Sequence, residues 1–225
     1  MVRDYSHYFN DNIVVFLTEN NDYWNKKNDS RFNQILNYTK RSNLIMPNQV
    51  HGDNLIVVTQ KSKDIECDSI IFSSSSDLIG AINIADCVPV FIYDSLSGYL
   101  ALVHSGWRGT LKKIVIKTIN KMISLGATNK SMKIFIGPSI RGCCYKVEDF
   151  FASKFYKSCV LKESGEFYVD LKSQIFKDLE CALIPKSNIF IDNSCTFEDL
   201  NLHSYRRDSV RSGRMSLVAY MRSNG

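Results

Sequence analysis

Residues 104–109, with the sequence His-Ser-Gly-Trp-Arg-Gly, join two segments of different periodicity. The apolar run 99–103 before them is typical of a buried strand, and residues 110–125 after them repeat apolar side chains at helical spacing. Thr110 is predicted to cap that helix and Gly126 to end it. A plain turn would use small polar residues, so a histidine, a tryptophan and an arginine between two glycines indicate a functional site at a strand-to-helix junction.

The composition is that of a soluble globular protein. With 225 residues, 44% of them hydrophobic and 23% charged, the chain can bury a sizeable core, and we expect a single domain over residues 1–225. The net charge of +5 is mild and gives no reason to expect a nucleic-acid partner. The N-terminus lacks a secretory signal and the longest apolar runs are too short to cross a bilayer, so no membrane association is expected.

The cysteines indicate a reducing compartment. Their number, seven, is odd, and their spacing contains neither a C-x-x-C pair nor the framework of a small disulfide-rich domain. Mostly buried free thiols are the simplest interpretation, which predicts a cytosolic protein. Cys143 and Cys144 are adjacent and are either redox-active or merely packed.

Apolar runs and helical segments are mixed along the chain. The predicted strands are residues 13–17, 55–59, 65–72, 78–84, 88–93, 99–103, 133–136, 188–192 and 215–221. Besides 110–125, the predicted helices are a short one around residues 32–36, then 147–156 and 170–184, while residues 18–30 are predicted to form a solvated loop. This mixture indicates an α/β or α+β fold, and periodicity does not separate the two.

Three residues with metal-binding side chains lie at predicted strand ends. They are His51, Cys87 and His104. If these three junctions share one end of a sheet, two imidazoles and a thiolate converge, and zinc accepts nitrogen and sulfur ligands of this kind. The alternative is a buried cysteine, a hydrogen-bonded core histidine and a surface histidine, because nothing in the spacing itself forces the three together.

The same atoms would also suit covalent catalysis. Cys87 could act as a nucleophile with His104 as its general base. Asp86 could orient the histidine, although adjacent side chains on a strand point to opposite faces. The other interpretation of Asp86 is a turn residue that accepts hydrogen bonds from nearby amides.

Several arginines are candidates for binding an anion, because a guanidinium group holds phosphate through paired hydrogen bonds. They are Arg108, Arg206, Arg207, Arg211 and Arg214, with a solvated role preferred for Arg211. Trp107 could stack on a planar ligand but fits core packing better. Asn83 lies in an otherwise apolar strand and could face the site.

Together these segments resemble a known family, the YfiH/laccase-domain proteins, once called multicopper polyphenol oxidoreductases. The matching segments, from about residue 49 to the end, are residues 49–52 (Gln-Val-His-Gly), 85–90 (Ala-Asp-Cys-Val-Pro-Val), 104–109, 136–140 (Ile-Gly-Pro-Ser-Ile), 144–147 (Cys-Tyr-Lys-Val), 204–208 (Ser-Tyr-Arg-Arg-Asp) and 213–215 (Gly-Arg-Met). The resemblance implies an α+β fold, a four-layer α/β/β/α sandwich with mixed sheets.

The resemblance also implies a single catalytic Zn²⁺ with His51, Cys87 and His104 as ligands, and copper as a less favoured metal. The implied activities are phosphorolysis of adenosine, inosine, guanosine and methylthioadenosine, and deamination of adenosine. Purine nucleosides and phosphate would be the partners, with Arg108, Arg206 and Asn83 in the substrate site. A monomer or a small homo-oligomer is expected.

Two departures from the family pattern stand out. Residues 18–30 match the family's N-terminal loop poorly, and Cys67-Asp68 replaces its usual Ala-Asp pair, a change expected to affect packing alone. Other functions considered are a Cys-His hydrolase, because the fold also resembles that of toxin deamidases, and a peptidoglycan-precursor editing enzyme. A copper oxidase of phenols would need several copper centres. A non-enzymatic module would have a fourth protein ligand that closes the zinc site.

Overall fold

The computed structural model describes residues 2–9, 12–21, 24–25, 30–61 and 64–222. Within these ranges the strands are β1 (Val2–Asp4), β2 (Ile13–Thr18), β3 (Leu44–Ile45), β4 (Leu55–Val58), β5 (Ser69–Ser73), β6 (Ile79–Ile84), β7 (Val88–Asp94), β8 (Tyr99–Ser105), β9 (Met132–Ile136), β10 (Lys146–Val147), β11 (Val160–Glu163), β12 (Glu166–Val169), β13 (Ile189–Ile191) and β14 (Met215–Met221). The α-helices of the same ranges are α1 (Arg31–Thr39), α2 (Trp107–Leu111), α3 (Ile114–Ser124), α4 (Asp149–Ala152), α5 (Leu171–Cys181) and α6 (Tyr205–Asp208). None of these helices has the length and apolar character needed to traverse a bilayer.

The strands form two large mixed sheets and one small one. The six-stranded sheet has the order β13-β9-β7-β8-β5-β4, the five-stranded sheet β1-β2-β14-β6-β3 and the small sheet β10-β12-β11. Parallel pairs occur at β13 with β9, β4 with β5 and β3 with β6, and the other pairs are antiparallel. The α+β class is therefore confirmed.

The six-stranded sheet is buried on both faces. On β5, Ile70 and Phe72 enter the core shared with the five-stranded sheet, whereas Ile71 enters the core beneath α3 and α5. The same alternation continues on β7, where Phe91 faces the other sheet and Ile92 faces the helices. Successive side chains of a strand point to opposite faces of the sheet. A strand that is buried on both faces therefore has apolar residues at nearly every position.

The five-stranded sheet separates that shared core from α1. Leu17 and Leu217 point toward the six-stranded sheet, while Phe16 and Val218 pack with Ile35 of α1. The layers are thus α1, the five-stranded sheet, the six-stranded sheet, and α3 with α5. This is the four-layer α/β/β/α sandwich that the family resemblance implies.

The prediction of one helix over residues 110–125 is wrong about where the helix begins and about its being continuous. The helical segment begins at Trp107, with Gly106 as N-cap, and Lys113 with φ 57° separates α2 from α3. Thr110 lies inside α2, where its hydroxyl is 2.9 Å from that of Ser105. The predicted end is confirmed, since Gly126 takes the left-handed conformation with φ 101°.

Two further predictions need correction. The helix predicted over 147–156 shrinks to the single turn α4, because Val147 pairs with β12 instead. In the loop predicted over 18–30, residues 22–23 and 26–29 lie outside the described residues, but Trp24 is buried beside α1 rather than solvated. The helix predicted over 170–184 is confirmed as α5, although it ends at Cys181 rather than at residue 184. Asp170 caps it by accepting a 3.0 Å hydrogen bond from the amide of Ser173.

Gly80 provides a test of the packing between the two large sheets. A Cβ atom there would lie 2.6 Å from Phe72 Cε1 and 2.8 Å from Leu102 Cδ1, on the opposite sheet. We expect Gly80→Ala to lower the free energy of unfolding by about 1–3 kcal/mol, measured by urea denaturation, because overpacking forces neighbouring side chains out of their rotamers. Combining it with Phe72→Leu should cost less than the sum of the two single changes, and strict additivity would contradict this contact.

Candidate metal centre

The structure brings together the three residues that the sequence singles out as ligands. One ligand atom from each of His51, Cys87 and His104 lies within 4.8 Å of the other two. Cys87 immediately precedes β7, His104 lies within β8, and His51 lies in the loop before β4. Because β7 and β8 are antiparallel neighbours that pair Pro89 with His104, the hairpin itself places the cysteine level with the end of β8.

Burial differs across this triad. His104 is only 3% exposed, Cys87 is half-buried and His51 is exposed. The two imidazole rings are nearly perpendicular, with their centroids 4.9 Å apart. The triad therefore has a fixed inner side and a side that is open to solvent.

Asp68 holds two members of the triad in place. Its fully buried carboxylate lies 2.7 Å from His104 Nδ1 and accepts hydrogen bonds from the amides of His51 at 3.0 Å and Gly52 at 2.7 Å. Burial would raise the pKa of Asp68, but these hydrogen bonds keep it below its ordinary value. Since a carboxylate only accepts hydrogen bonds, His104 carries its proton on Nδ1 and presents Nε2 to the centre.

Sequence reasoning missed this role, because Asp68 was considered only as part of a packing change. One signal was available: an aspartate inside the predicted apolar strand 65–72 must find donors when it is buried. The expectation that Asp86 could orient the histidine is wrong. Asp86 has φ 81°, and its carboxylate accepts hydrogen bonds from Thr196 Oγ1 and from the Arg206 amide, both at 2.6 Å.

Gly106 is required here for the space it leaves rather than for its backbone conformation. Its φ of −72° and ψ of 178° are accessible to any residue. A Cβ atom at this position, however, would lie 3.0 Å from Cys87 Sγ and 3.5 Å from His51 Cδ2. Glycine therefore leaves the room that the thiol and the imidazole occupy.

The charges of the triad depend on one another. Burial by itself raises the pKa of the Cys87 thiol, but hydrogen bonds from His104 and His51 outweigh it and lower the pKa to about 7. Burial lowers the pKa of His104, whereas the hydrogen bonds with Asp68 and Cys87 raise it, to about 9. At neutral pH the protein therefore stabilises a thiolate at this position, and the thiolate is the form that binds metals or attacks carbon.

A cavity of about 730 Å³ opens above the triad and contains exposed guanidinium groups. The Arg108 guanidinium lies 4.3 Å from the centre of the Trp107 ring. Arg206 lies 5.0 Å from the centre of the Tyr145 ring and donates a 2.9 Å hydrogen bond to the carbonyl of Lys146. Aromatic faces thus position two cations, and within the described part of the chain most of their N–H groups are left free for a ligand.

The other candidates have different surroundings. Asn83 also lines the cavity, but its side-chain carbonyl accepts a 2.6 Å hydrogen bond from Ser216. Arg214 lines the cavity, whereas Arg211 lies in a separate depression. Arg207 pairs with its neighbour Asp208 and donates to backbone carbonyls of residues 196–202, so it stabilises a loop.

The residues of the triad fit a catalytic type of zinc site. Two imidazole nitrogens and a thiolate are ligands that zinc accepts, and three protein ligands leave a fourth position for a substrate. The hydrogen bond from His104 to Asp68 is the partner arrangement that orients metal-binding histidines in proteins.

Comparison with known proteins places the chain in a family. Residues 15–222 match the family described as multi-copper polyphenol oxidoreductase laccase. The chain belongs to this family, the YfiH/laccase-domain proteins. The crystal structure of YlmD from Geobacillus stearothermophilus has the same fold, with a TM-score of 0.84 and 22% identity over 95% of this chain and 93% of that one.

Two curated relatives carry the names of enzymes. A protein named purine nucleoside phosphorylase from Clostridium acetobutylicum is 36% identical over 172 residues, which cover 74% of this chain and 72% of that protein. Adenosine deaminase RL5, from an unknown prokaryotic organism, is 29% identical over 189 residues, which cover 76% of this chain and 72% of that protein. The chain is thus similar along most of its length to enzymes of purine nucleoside metabolism.

The lowered pKa of Cys87 predicts how its reactivity depends on pH. In chelator-treated protein, iodoacetamide should alkylate Cys87 at half its plateau rate near pH 7, because the thiolate fraction rises through the pKa. Added Zn²⁺ should protect it. Peptide mass spectrometry measures the alkylation rate of Cys87 and its suppression by Zn²⁺, with the exposed Cys181 as the internal reference. A midpoint at about pH 8.5, the pKa of a free thiol, would contradict stabilisation of the thiolate by the two histidines.

The role of Asp68 predicts the effect of removing its charge. Asp68→Asn should weaken Zn²⁺ binding roughly 10–100-fold in competition with a chelator, because the orienting partner of a metal-binding histidine is altered. Asp53→Asn is the matched control, since Asp53 forms ion pairs with Lys112 and Lys117 close by without touching the triad. Equal Zn²⁺ affinity in both variants would show that Asp68 does not position His104.

Proposed function

We propose that this protein is a zinc-dependent purine nucleoside phosphorylase that acts on adenosine, inosine, guanosine and methylthioadenosine and also deaminates adenosine. The observation that carries the proposal is the convergence of His51, Cys87 and His104 at the floor of an arginine-lined cavity. The names of the curated relatives, purine nucleoside phosphorylase and adenosine deaminase, support purine nucleosides as the substrate class. The cavity volume of about 730 Å³ lies within the range of roughly 300–1,000 Å³ that is usual for small-molecule sites.

The arginines favour phosphate as the second substrate. Arg108, Arg206 and Arg214 all line the cavity and are exposed. Guanidinium groups bind phosphate through paired, charge-assisted hydrogen bonds, which orient the anion as well as attract it. Positioning phosphate beside the nucleoside supplies the proximity that phosphorolysis requires.

The aromatic lining favours a purine. Trp107, Tyr145 and Tyr205 border the same cavity. An arginine lies over one face of each ring, and a face that is not covered in this way can stack on a heterocycle. Trp107 also packs edge-to-face on Phe151, so its ring is held rigidly. We assign Asn83, which lines the same cavity, as a further substrate-binding residue.

His51, Cys87 and His104 would hold the zinc ion. When bound, zinc supplies a Lewis acid beside the substrate. Asp68 keeps His104 in the tautomer that presents Nε2, and hydrogen bonds from the His104 and His51 side chains favour the thiolate form of Cys87 by lowering its pKa. Copper is the alternative metal for these ligands, and metal analysis of the purified protein distinguishes the two. A cytosolic location belongs to the same proposal.

A Cys-His hydrolase is the second candidate function. The observation that favours it is the chain of contacts from Asp68 through His104 to Cys87, which matches the arrangement of an orienting carboxylate, a base and a nucleophile. In that case catalysis would survive chelation and would be lost on alkylation of Cys87. Under the zinc proposal, chelation abolishes catalysis and zinc restores it.

One assay tests the leading proposal. Release of base from adenosine and inosine should require both Zn²⁺ and inorganic phosphate, whereas deamination of adenosine should require Zn²⁺ alone. His104→Ala should lose one equivalent of zinc per chain and both activities, measured by metal analysis and chromatography of the products. Cys87→Ser is a smaller change at a half-buried position. The same loss of zinc and of both activities in this variant would show that the loss in His104→Ala does not come from unfolding.

The arginine variants separate phosphate binding from general electrostatics. Arg206→Ala should raise the KM for phosphate and leave deamination unchanged, because deamination uses no phosphate. Arg211→Ala removes the same charge outside the cavity and should change neither activity. Base release that is independent of phosphate, with zinc bound, would refute phosphorolysis.

A further inference from the structure

A second group of metal-binding side chains lies outside the triad. Cys143, Cys144, Cys195 and Glu198 each offer one ligand atom, and these four atoms lie within 4.8 Å of one another. We name this group the thiol cluster. It shares no residue with the triad and contains three of the seven cysteines of the chain.

The sheet topology brings the members of the thiol cluster together. Because β9 and β13 are parallel neighbours, the segments that follow them leave the sheet at the same edge. The first segment carries Cys143 and Cys144, and the second carries Cys195 and Glu198. A parallel bridge between Ser139 and Cys195 fixes their register.

The thiols of the cluster are close but not bonded. The sulfur atoms of Cys143 and Cys144 are 3.1 Å apart, well beyond the roughly 2.05 Å of a disulfide. Cys143 Sγ also donates to Glu198 Oε2 at 3.6 Å. Four ligand atoms at about 2.3 Å from a tetrahedral zinc ion lie about 3.5–4 Å from one another. The four atoms of the thiol cluster already lie within 4.8 Å of one another, so small side-chain rotations bring them to that spacing.

Burial gives the cluster a closed side and an open side. Cys195 is 4% exposed, Cys144 is half-buried, and Cys143 and Glu198 are exposed. An ion can therefore enter from solvent and meet a preformed ligand below. If the thiols and the carboxylate ionise together, their negative charges repel at these distances, and a divalent cation removes that repulsion.

We propose that the thiol cluster binds a thiophilic divalent cation of the zinc type. Three thiolates and a carboxylate favour such ions over magnesium or calcium, which prefer oxygen ligands. Binding releases the thiol protons to the buffer. Four protein ligands close the coordination sphere, so this second ion stabilises structure and does not itself meet a substrate.

Such an ion would fix the positions of two residues that border the cavity, Tyr145 and Asp86. Tyr145, which borders the cavity, follows Cys144 directly. Thr196 follows Cys195 and donates a hydrogen bond to Asp86, the neighbour of Cys87. The ion would thus cross-link the segment that carries Tyr145 to the segment whose Thr196 holds Asp86, and both Tyr145 and Asp86 line the cavity.

Cadmium titration of the full chain under a phosphine reductant tests the proposal, and its outcome does not depend on nucleoside turnover. In the Cys87→Ser background, which removes the thiolate of the triad, Cd²⁺ should produce the ultraviolet thiolate-to-cadmium band of three thiolates with one equivalent bound. Adding Cys143→Ser should weaken this binding by more than about 100-fold, because losing a ligand costs more than the roughly 10–100-fold typical of an outer hydrogen-bond partner. Adding Cys181→Ser, an exposed cysteine elsewhere, should change nothing.

Glu198→Gln is a second variant that keeps the test decisive if the cysteine change disturbs folding, since Glu198 is exposed. It should weaken Cd²⁺ binding while leaving the three-thiolate band intact at saturation. In the same Cys87→Ser background, Zn²⁺ should raise the melting temperature, and Cys143→Ser should abolish that rise. Absence of the band, or a band and affinity unchanged by both Cys143→Ser and Glu198→Gln, would overturn the proposal.

Discussion

The buried carboxylate of Asp68 is the interaction on which the candidate centre depends. It joins an imidazole from β8 to two consecutive amides in the loop before β4, and each of its donors is within 3.0 Å. Burying this charge without all three donors would be costly. The same hydrogen bonds secure His51 in the left-handed conformation, with φ 57°. One side chain therefore determines the tautomer of one histidine and the backbone of the other.

The layered fold explains why this centre can be rigid and yet accessible. Both faces of the six-stranded sheet are covered, so its strands cannot shift without disturbing two cores. Cys87 and His104 lie at one edge of that sheet, where the hairpin of β7 and β8 meets α2. The thiol cluster lies beyond the neighbouring strands β9 and β13. The triad and the thiol cluster thus lie at neighbouring strand ends of one sheet.

Local patterns predicted much of the fold and only part of the site. The strand at Met215–Met221 and the cap at Asp170 follow from periodicity and side-chain chemistry alone. The break at Lys113 could not be predicted, because neither glycine nor proline marks it and tertiary packing imposes its left-handed backbone. Which distant residues meet depends on strand order: the triad needs β4, β7 and β8 in one sheet, and the thiol cluster needs β9 beside β13. The family resemblance, rather than spacing, supplied the triad.

The unusual backbone at Asp86 has a consequence for the order in which the protein assembles. Its carboxylate is bonded to groups 110 and 120 residues further along the chain. The hairpin of β7 and β8 can pair as soon as it leaves the ribosome, since its contacts are local. The turn that precedes Cys87 gains these two hydrogen bonds only when the segments around Thr196 and Arg206 have docked. We therefore expect the triad to be completed late in folding, after the hairpin that carries His104 has formed.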